Sequence, residues 1–300
     1  MEVRNRLPKT DPYAESKTEL QWRAEGRAVI DLQGSGKEMW SNQFCNTAPV
    51  YYIYNETRPA TPEELTAWKE ESRSKAQERK RRRQEEMIKE ERWRQAEIAA
   101  EAERESKRIK ALCDRLHQYS SVNLADIICL DCETTGLSSE DEILQLSIVN
   151  VAGEILFNEY VRPINASEWP EAERIHGVSP AMVADKHTID FYREQISDIM
   201  AKAGLIIGYN VSFDLEFLRC AGVEWSDEIP VFDVMEEFAE VYGEWSSYYG
   251  AFRWQNLRVC ASYFGYKRNG SFHDSLEDAK ATIFCYNAMT ALTMEDLRME

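Results

Sequence analysis

Two acidic side chains, Asp131 and Glu133, stand in the stretch "ICLDCETTGL", residues 128 to 137, at the end of an apolar run and just before a turn. Two residues apart on an extended chain, they point to one face, and the carboxyl end of a strand in an α/β sheet is where ligand crevices form. Like charges held together there call for a cation. Taken alone, the pair reads more readily as ordinary acids at a strand end. Asp214, in "GYNVSFDLEFL", falls in the first turn of a helix after the apolar run "LIIGY". It is either part of the same site or simply an acid favoured by the helix dipole. In "SFHDSLEDA", His273 comes just before the final helix and Asp278 within about its first turn, so both can face one crevice. Other candidates are weaker. Cys129 and Cys132 form a C-x-x-C, but residues three apart on a strand face opposite ways, so they read as small packing residues. His176, in the turn "RIHGVS", suits a structural hydrogen bond.

The elements that must position these groups are legible as hydrophobic runs. "DIICLD", "EILQLSIVNV" and "EILFNEYVR" read as three strands of a meander, the last two joined by a tight turn through Ala152 and Gly153. Two helical stretches follow, each leading into another apolar run, "LIIGY" and "PVFDV", which predicts strands reached by crossover connections. The expected fold class is α/β, a mixed five-stranded sheet with flanking helices. A last helix begins at Asp274 or Ser275, with Leu276, Ala279, Ile283 and Tyr286 on its buried face.

On these residues the chain resembles a known family. Asp131-x-Glu133-Thr134-Thr135-Gly136-Leu137, then Asn210-x-x-Phe213-Asp214, then His273 with Asp278 five residues on, are similar to the three motifs of the DEDDh, or DnaQ-like, 3′–5′ exonucleases, over about 123 to 292. The resemblance implies a ribonuclease-H-like sheet. It implies that Asp131, Glu133, Asp214 and Asp278 hold two divalent cations, magnesium or manganese, and that His273 acts as general base. It further implies that Thr134, Thr135 and Leu137 meet the terminal sugar and bases, and that Asn210 and Phe213 shape the pocket of the terminal nucleotide. The products would be nucleoside 5′-monophosphates. The implied partners are single-stranded or frayed 3′ ends, of DNA by first choice, with an RNA-trimming enzyme of the same fold as the alternative. Gln145, Ser147 and Tyr209 depart from the family's usual Glu, Gly or Ala, and His, which bears on substrate and subfamily rather than on the chemistry.

Composition is compatible with this reading. Three hundred residues, 43% hydrophobic and 11% aromatic, allow one sizeable core and a smaller accessory piece. The stretch "MEVRNRLPKT" has no signal-peptide character and no segment approaches ~18 apolar residues, so no membrane contact and a cytoplasmic location are expected. Seven cysteines, an odd number, suit reduced thiols. Residues 121 to 300 carry 12 Lys and Arg against 31 Asp and Glu, a net of −19, whereas residues 1 to 120 are near balance at +2. So acidic a surface repels a polyanion unless cations or a basic element intervene.

Three parts follow along the chain: a small aromatic-rich module over 1–60, a long charged helix over 61–115, and the exonuclease-like domain over 121–295. The module contains Trp22, Trp40, Phe44, Tyr51, Tyr52 and Tyr54, read as its own core, with base stacking or docking of a protein partner as alternatives. The helix opens with Thr61 as N-cap, Pro62 at its first position and Glu64 closing a capping box. Some fifty residues would make a rod of about 75 Å. Its apolar residues keep no heptad seam, and the run Arg79 to Arg83 reads as a solvated face, with phosphate contact as the alternative. A rival from another class is a scaffold that keeps the fold and acts through this N-terminal part.

Overall fold

A computed structural model of the chain describes residues 15–38, 49–267 and 273–298. Trp40, Phe44 and Cys45 lie outside them. Two compact units are formed, Met1–Ala99 and Ala100–Glu300.

In the first unit, β1 (Lys17–Thr18), α1 (Glu19–Ala24), β2 (Arg27–Val29), β3 (Lys37–Glu38), β4 (Val50–Tyr52) and β5 (Thr57–Pro59) pack around Trp22 and Tyr52. The Trp22 indole donates to Tyr52 O at 2.9 Å, so two of the module's aromatics serve as its core. Helix α2 (Pro62–His117) starts as its capping residues dictate. Thr61 N–H donates to Glu64 Oε2 (2.8 Å) and Glu64 N–H to Thr61 Oγ1 (3.2 Å). Its middle is solvated, Arg79 to Arg83 included, and is laced with pairs such as Arg94–Glu91.

In the second unit, the end of α2 lies in the core. Ile109, Leu112 and Leu116 are buried, and Arg115 meets Glu240 at 2.6 Å and Glu237 at 3.1 Å. The division of the chain thus falls inside the helix, about 16 to 21 residues before the 115/121 boundaries drawn from composition, because three apolar residues at helical spacing suffice to bind it. Leu116→Ala is expected to destabilise this unit by about 2–5 kcal/mol. An unchanged urea midpoint would show that the helix end is dispensable.

The sheet consists of β6 (Ile127–Thr134), β7 (Ile143–Asn150), β8 (Ile155–Tyr160), β9 (Leu205–Gly208) and β10 (Val231–Asp233), in the order β10-β9-β6-β7-β8. The meander is antiparallel, and β9 and β10 run parallel to β6 and β9 respectively. Helices α3 (Pro170–His176), α4 (Pro180–Val183) and α5 (Ile189–Met200) lie between β8 and β9, and α6 (Val211–Cys220) between β9 and β10. After α7 (Val234–Tyr242) come the hairpin β11 (Trp245–Ser246) and β12 (Ala251–Phe252), α8 (Leu257–Tyr263) and α9 (Ser275–Met289). The mixed five-stranded α/β sheet expected from the hydrophobic runs is the one observed.

Each face of the sheet has its own core. Cys129, Leu205 and Ile207 face α9, α7 and the end of α2, whereas Ile128, Leu130, Cys132 and Ile206 face α5 and α6. Cys129 and Cys132 are accordingly buried on opposite faces, as packing residues. Among the described residues no helix is long and apolar enough to cross a membrane.

Candidate active site

The end of β6 is where the candidate carboxylates gather. Asp131 and Glu133 pair across the ladder with Ser147 and Gln145 on β7, all four turned to the α9 side. On the other side, β9 stops at Gly208, and a side chain takes over the ladder bond: Cys132 N–H donates to Asp214 Oδ1 at 2.8 Å. Asp214 is thereby fixed to the backbone between Asp131 and Glu133. It is buried, and that burial pushes its carboxyl up to about 7, with Cys132 opposing the shift.

The final helix delivers the remaining groups. Asp274 caps α9, accepting from Glu277 N–H at 3.2 Å, and Asp278 Oδ2 accepts from His273 N–H at 3.0 Å. His273 has a left-handed backbone (φ 72), a conformation a non-glycine residue adopts at a cost when its surroundings hold it. Its imidazole is exposed, and the candidate ligand atoms of Glu133, His273 and Asp278 lie within 4.8 Å of one another. Oxygen-rich, largely buried and acidic, with one imidazole, this donor set fits a hard divalent cation. Positive charge beside a buried acid such as Asp214 favours its ionised form.

The positions that depart from the family's pattern have structural work. Ser147 Oγ and Ser275 Oγ are 2.7 Å apart, and Gln145 Nε2 donates to Asp274 Oδ2 at 3.3 Å, so β7 holds the start of α9. Tyr209 O–H donates to Gln255 O at 2.8 Å.

The turn after β6 is held by acids that motif reading passed over. Asp141 accepts from Ser138 N–H (2.9 Å) and Thr135 Oγ1 (2.9 Å), and its bonds with Ser138 and Thr135 hold its carboxyl below the usual range. Thr135 N–H is committed to Glu142 O at 2.8 Å, and Thr134 Oγ1 to Gly136 O at 2.5 Å. The Glu142 carboxylate accepts from Ile164, Asn165 and Ala166 N–H at 2.6–2.9 Å. Leu137 stands out from this rigid turn, 87% exposed. His176 accepts from Val178 N–H through Nδ1 (3.0 Å), which leaves Nε2 to donate to Thr134 O (3.2 Å). Burial lowers its pKa, and its role is the structural one expected.

On the β9 side, Asn210 is left-handed (φ 61) and exposed, and Phe213 is partly buried against Phe217. Asp233, at the end of β10, was not singled out from the sequence. Its carboxylate takes the N–H groups of Asn210 (3.1 Å), Val211 (3.0 Å) and Met235 (2.9 Å). An Asp directly before the apolar helical run of α7 is an N-cap signal that could have revealed it.

Fold and site together define a ribonuclease-H-like exonuclease domain of the DnaQ-like class. The chain belongs to the exonuclease family described by the RNase T model, which matches residues 128–286, just over half of it. It is 28% identical over 174 residues to an uncharacterised exonuclease, CP81, of Escherichia phage 186, covering 55% of this chain and 88% of that protein. RNA exonuclease 4 of Aspergillus fumigatus is 25% identical over 177 residues, covering 55% of this chain and 51% of that one. DNA polymerase III subunit epsilon of Escherichia coli is 25% identical over 173 residues, covering 54% and 70%. An exonuclease I structure superposes with a TM-score of 0.46 at 21% identity, covering 58% of this chain and 42% of that one.

Proposed function

We propose that this protein is a metal-dependent 3′–5′ exonuclease that releases nucleoside 5′-monophosphates, with DNA as first-choice substrate. The observation that carries the reading is the convergence of Glu133, His273 and Asp278 within 4.8 Å beside Asp214, which is bonded to the backbone linking Asp131 to Glu133. Asp131, Glu133, Asp214 and Asp278 would hold two cations, magnesium or manganese. When bound, these would offset charge on the scissile phosphate and acidify a water. His273, exposed at the mouth of the crevice, takes the proton of the attacking water. Water oxygen bonds to phosphorus, the bond from phosphorus to the 3′ oxygen breaks, and that oxygen leaves with a proton taken from solvent. Leu137 wedges against the last bases from its rigid turn. Asn210 and Phe213 border the terminal nucleotide, and Thr134 and Thr135 shape the turn against its sugar.

An RNA-trimming enzyme is the second reading, since RNA exonuclease 4 and DNA polymerase III subunit epsilon match this chain at equal identity. Side-by-side digestion of labelled DNA and RNA oligomers in magnesium, manganese or chelator separates the two. A free 3′ end is required: a 3′-phosphate or a closed circle is expected to resist, and mononucleotides to be the product. Nicking of circular single strands by pure protein would point to an endonuclease.

A further inference from the structure

In the acidic half of the chain, residues 245 to 273 contain no Asp or Glu, while Arg253, Arg258, Lys267 and Arg268 supply positive charge. The stretch opens with the β11–β12 hairpin and runs directly into His273. Its aromatic side chains face solvent: Tyr248 is 87% exposed, Tyr249 76%, Trp254 66% and Trp245 56%. Four large aromatics in the open on one short segment are more than the scattered apolar exposure normal for a surface.

Packing does not account for them. Phe252 is the ring turned inward, edge-on to Trp245 (5.2 Å) and under the Arg108 guanidinium (5.2 Å). The hairpin is closed by Arg253 N–H to Glu244 O at 2.8 Å and the Gln255 side chain to Glu244 at 3.1 Å. It is also fastened to the candidate site. Tyr209, whose hydroxyl reaches Gln255 O at 2.8 Å, immediately precedes Asn210, in the turn that borders the terminal-nucleotide pocket.

We infer that this hairpin is a base-stacking platform for the single-stranded stretch of substrate 5′ to the nucleotide being removed. The inference rests on the exonuclease reading and deepens it. Aromatic faces stack on any base, and the acid at the hairpin's base, Glu244, is offset by Arg253 at 3.2 Å, which lessens its repulsion of the phosphates between them. The combination also bears on how a domain half with a net charge of −19 admits a polyanion: at the hairpin the acid Glu244 is paired with Arg253. A protein partner would use the exposed rings but has no need of a hairpin fastened to the turn at Asn210.

The test measures binding of 5′-fluorescein oligonucleotides of two to ten residues to the full chain by anisotropy, in an Asp131→Asn background that suppresses hydrolysis. Affinity is expected to climb with length. Tyr248→Ala/Tyr249→Ala should flatten the climb, leaving the decamer bound about 10- to 100-fold more weakly, and Tyr248→Phe/Tyr249→Phe should restore it. Trp254→Ala serves as a second variant if the alanine pair lowers the melting temperature. A climb that persists in the alanine variants overturns the platform and leaves the patch to a protein. An equal loss at every length, the dinucleotide included, also overturns it and makes the hairpin structural support. If the unsubstituted chain cleaves nothing in magnesium or manganese while its length dependence still responds to these variants, the exonuclease reading fails and the platform stands.

Discussion

Asp131→Asn is expected to lower turnover on a 3′-labelled oligonucleotide by several orders of magnitude while the melting temperature stays close to that of the parent. The substitution preserves size and removes a carboxylate from the end of β6, where Glu133 shares its face and Asp214 is bonded to the intervening Cys132 N–H. Charge offset at the scissile phosphate is the largest contribution such a site makes, so loss of one carboxylate acts on the transition state. The fold has little stake in it, because Asp131 is only partly buried and the apolar core of β6 is left untouched. Digestion at near the parental rate would mean that the site lies elsewhere.

His273→Ala is expected to cost about 10²–10⁴ in turnover, the range of a general base. Two features of the structure shape the experiment. The imidazole lies within 4.8 Å of the Glu133 and Asp278 ligand atoms, close enough to bind a cation itself, so divalent metal is titrated by calorimetry in parallel. Retained affinity identifies a proton acceptor, and a matching loss of affinity identifies a ligand. The backbone at His273 is left-handed, which alanine tolerates poorly and asparagine better, so His273→Asn separates loss of the ring from strain at the helix start.

How much of this was legible in the sequence depends on where each partner sits along the chain. The strands, the Asp274 cap and the Thr61–Glu64 box were readable because the residues that make them are within a few positions of one another. The acidic set was readable because motif spacing survives without knowledge of contacts. The fasteners were not. Gln145 and Ser147 reach Asp274 and Ser275 from about 130 residues away, and Asp233 reaches Asn210 from 23. No local pattern announces such bonds. The attachment of α2 was hidden for a different reason: a long charged helix with no heptad averages away the short apolar patch at Ile109, Leu112 and Leu116.

Asp233 sits on β10, a three-residue strand at the rim of the sheet, yet it gathers amides at the starts of both α6 and α7. The geometry of the turn at Asn210 therefore depends on a side chain at the edge of the sheet, where opening costs less than unfolding the whole. Warming should release this corner first, so that activity is lost reversibly several degrees before the domain melts. Heat sensitivity of function and heat sensitivity of structure become separate properties of one molecule.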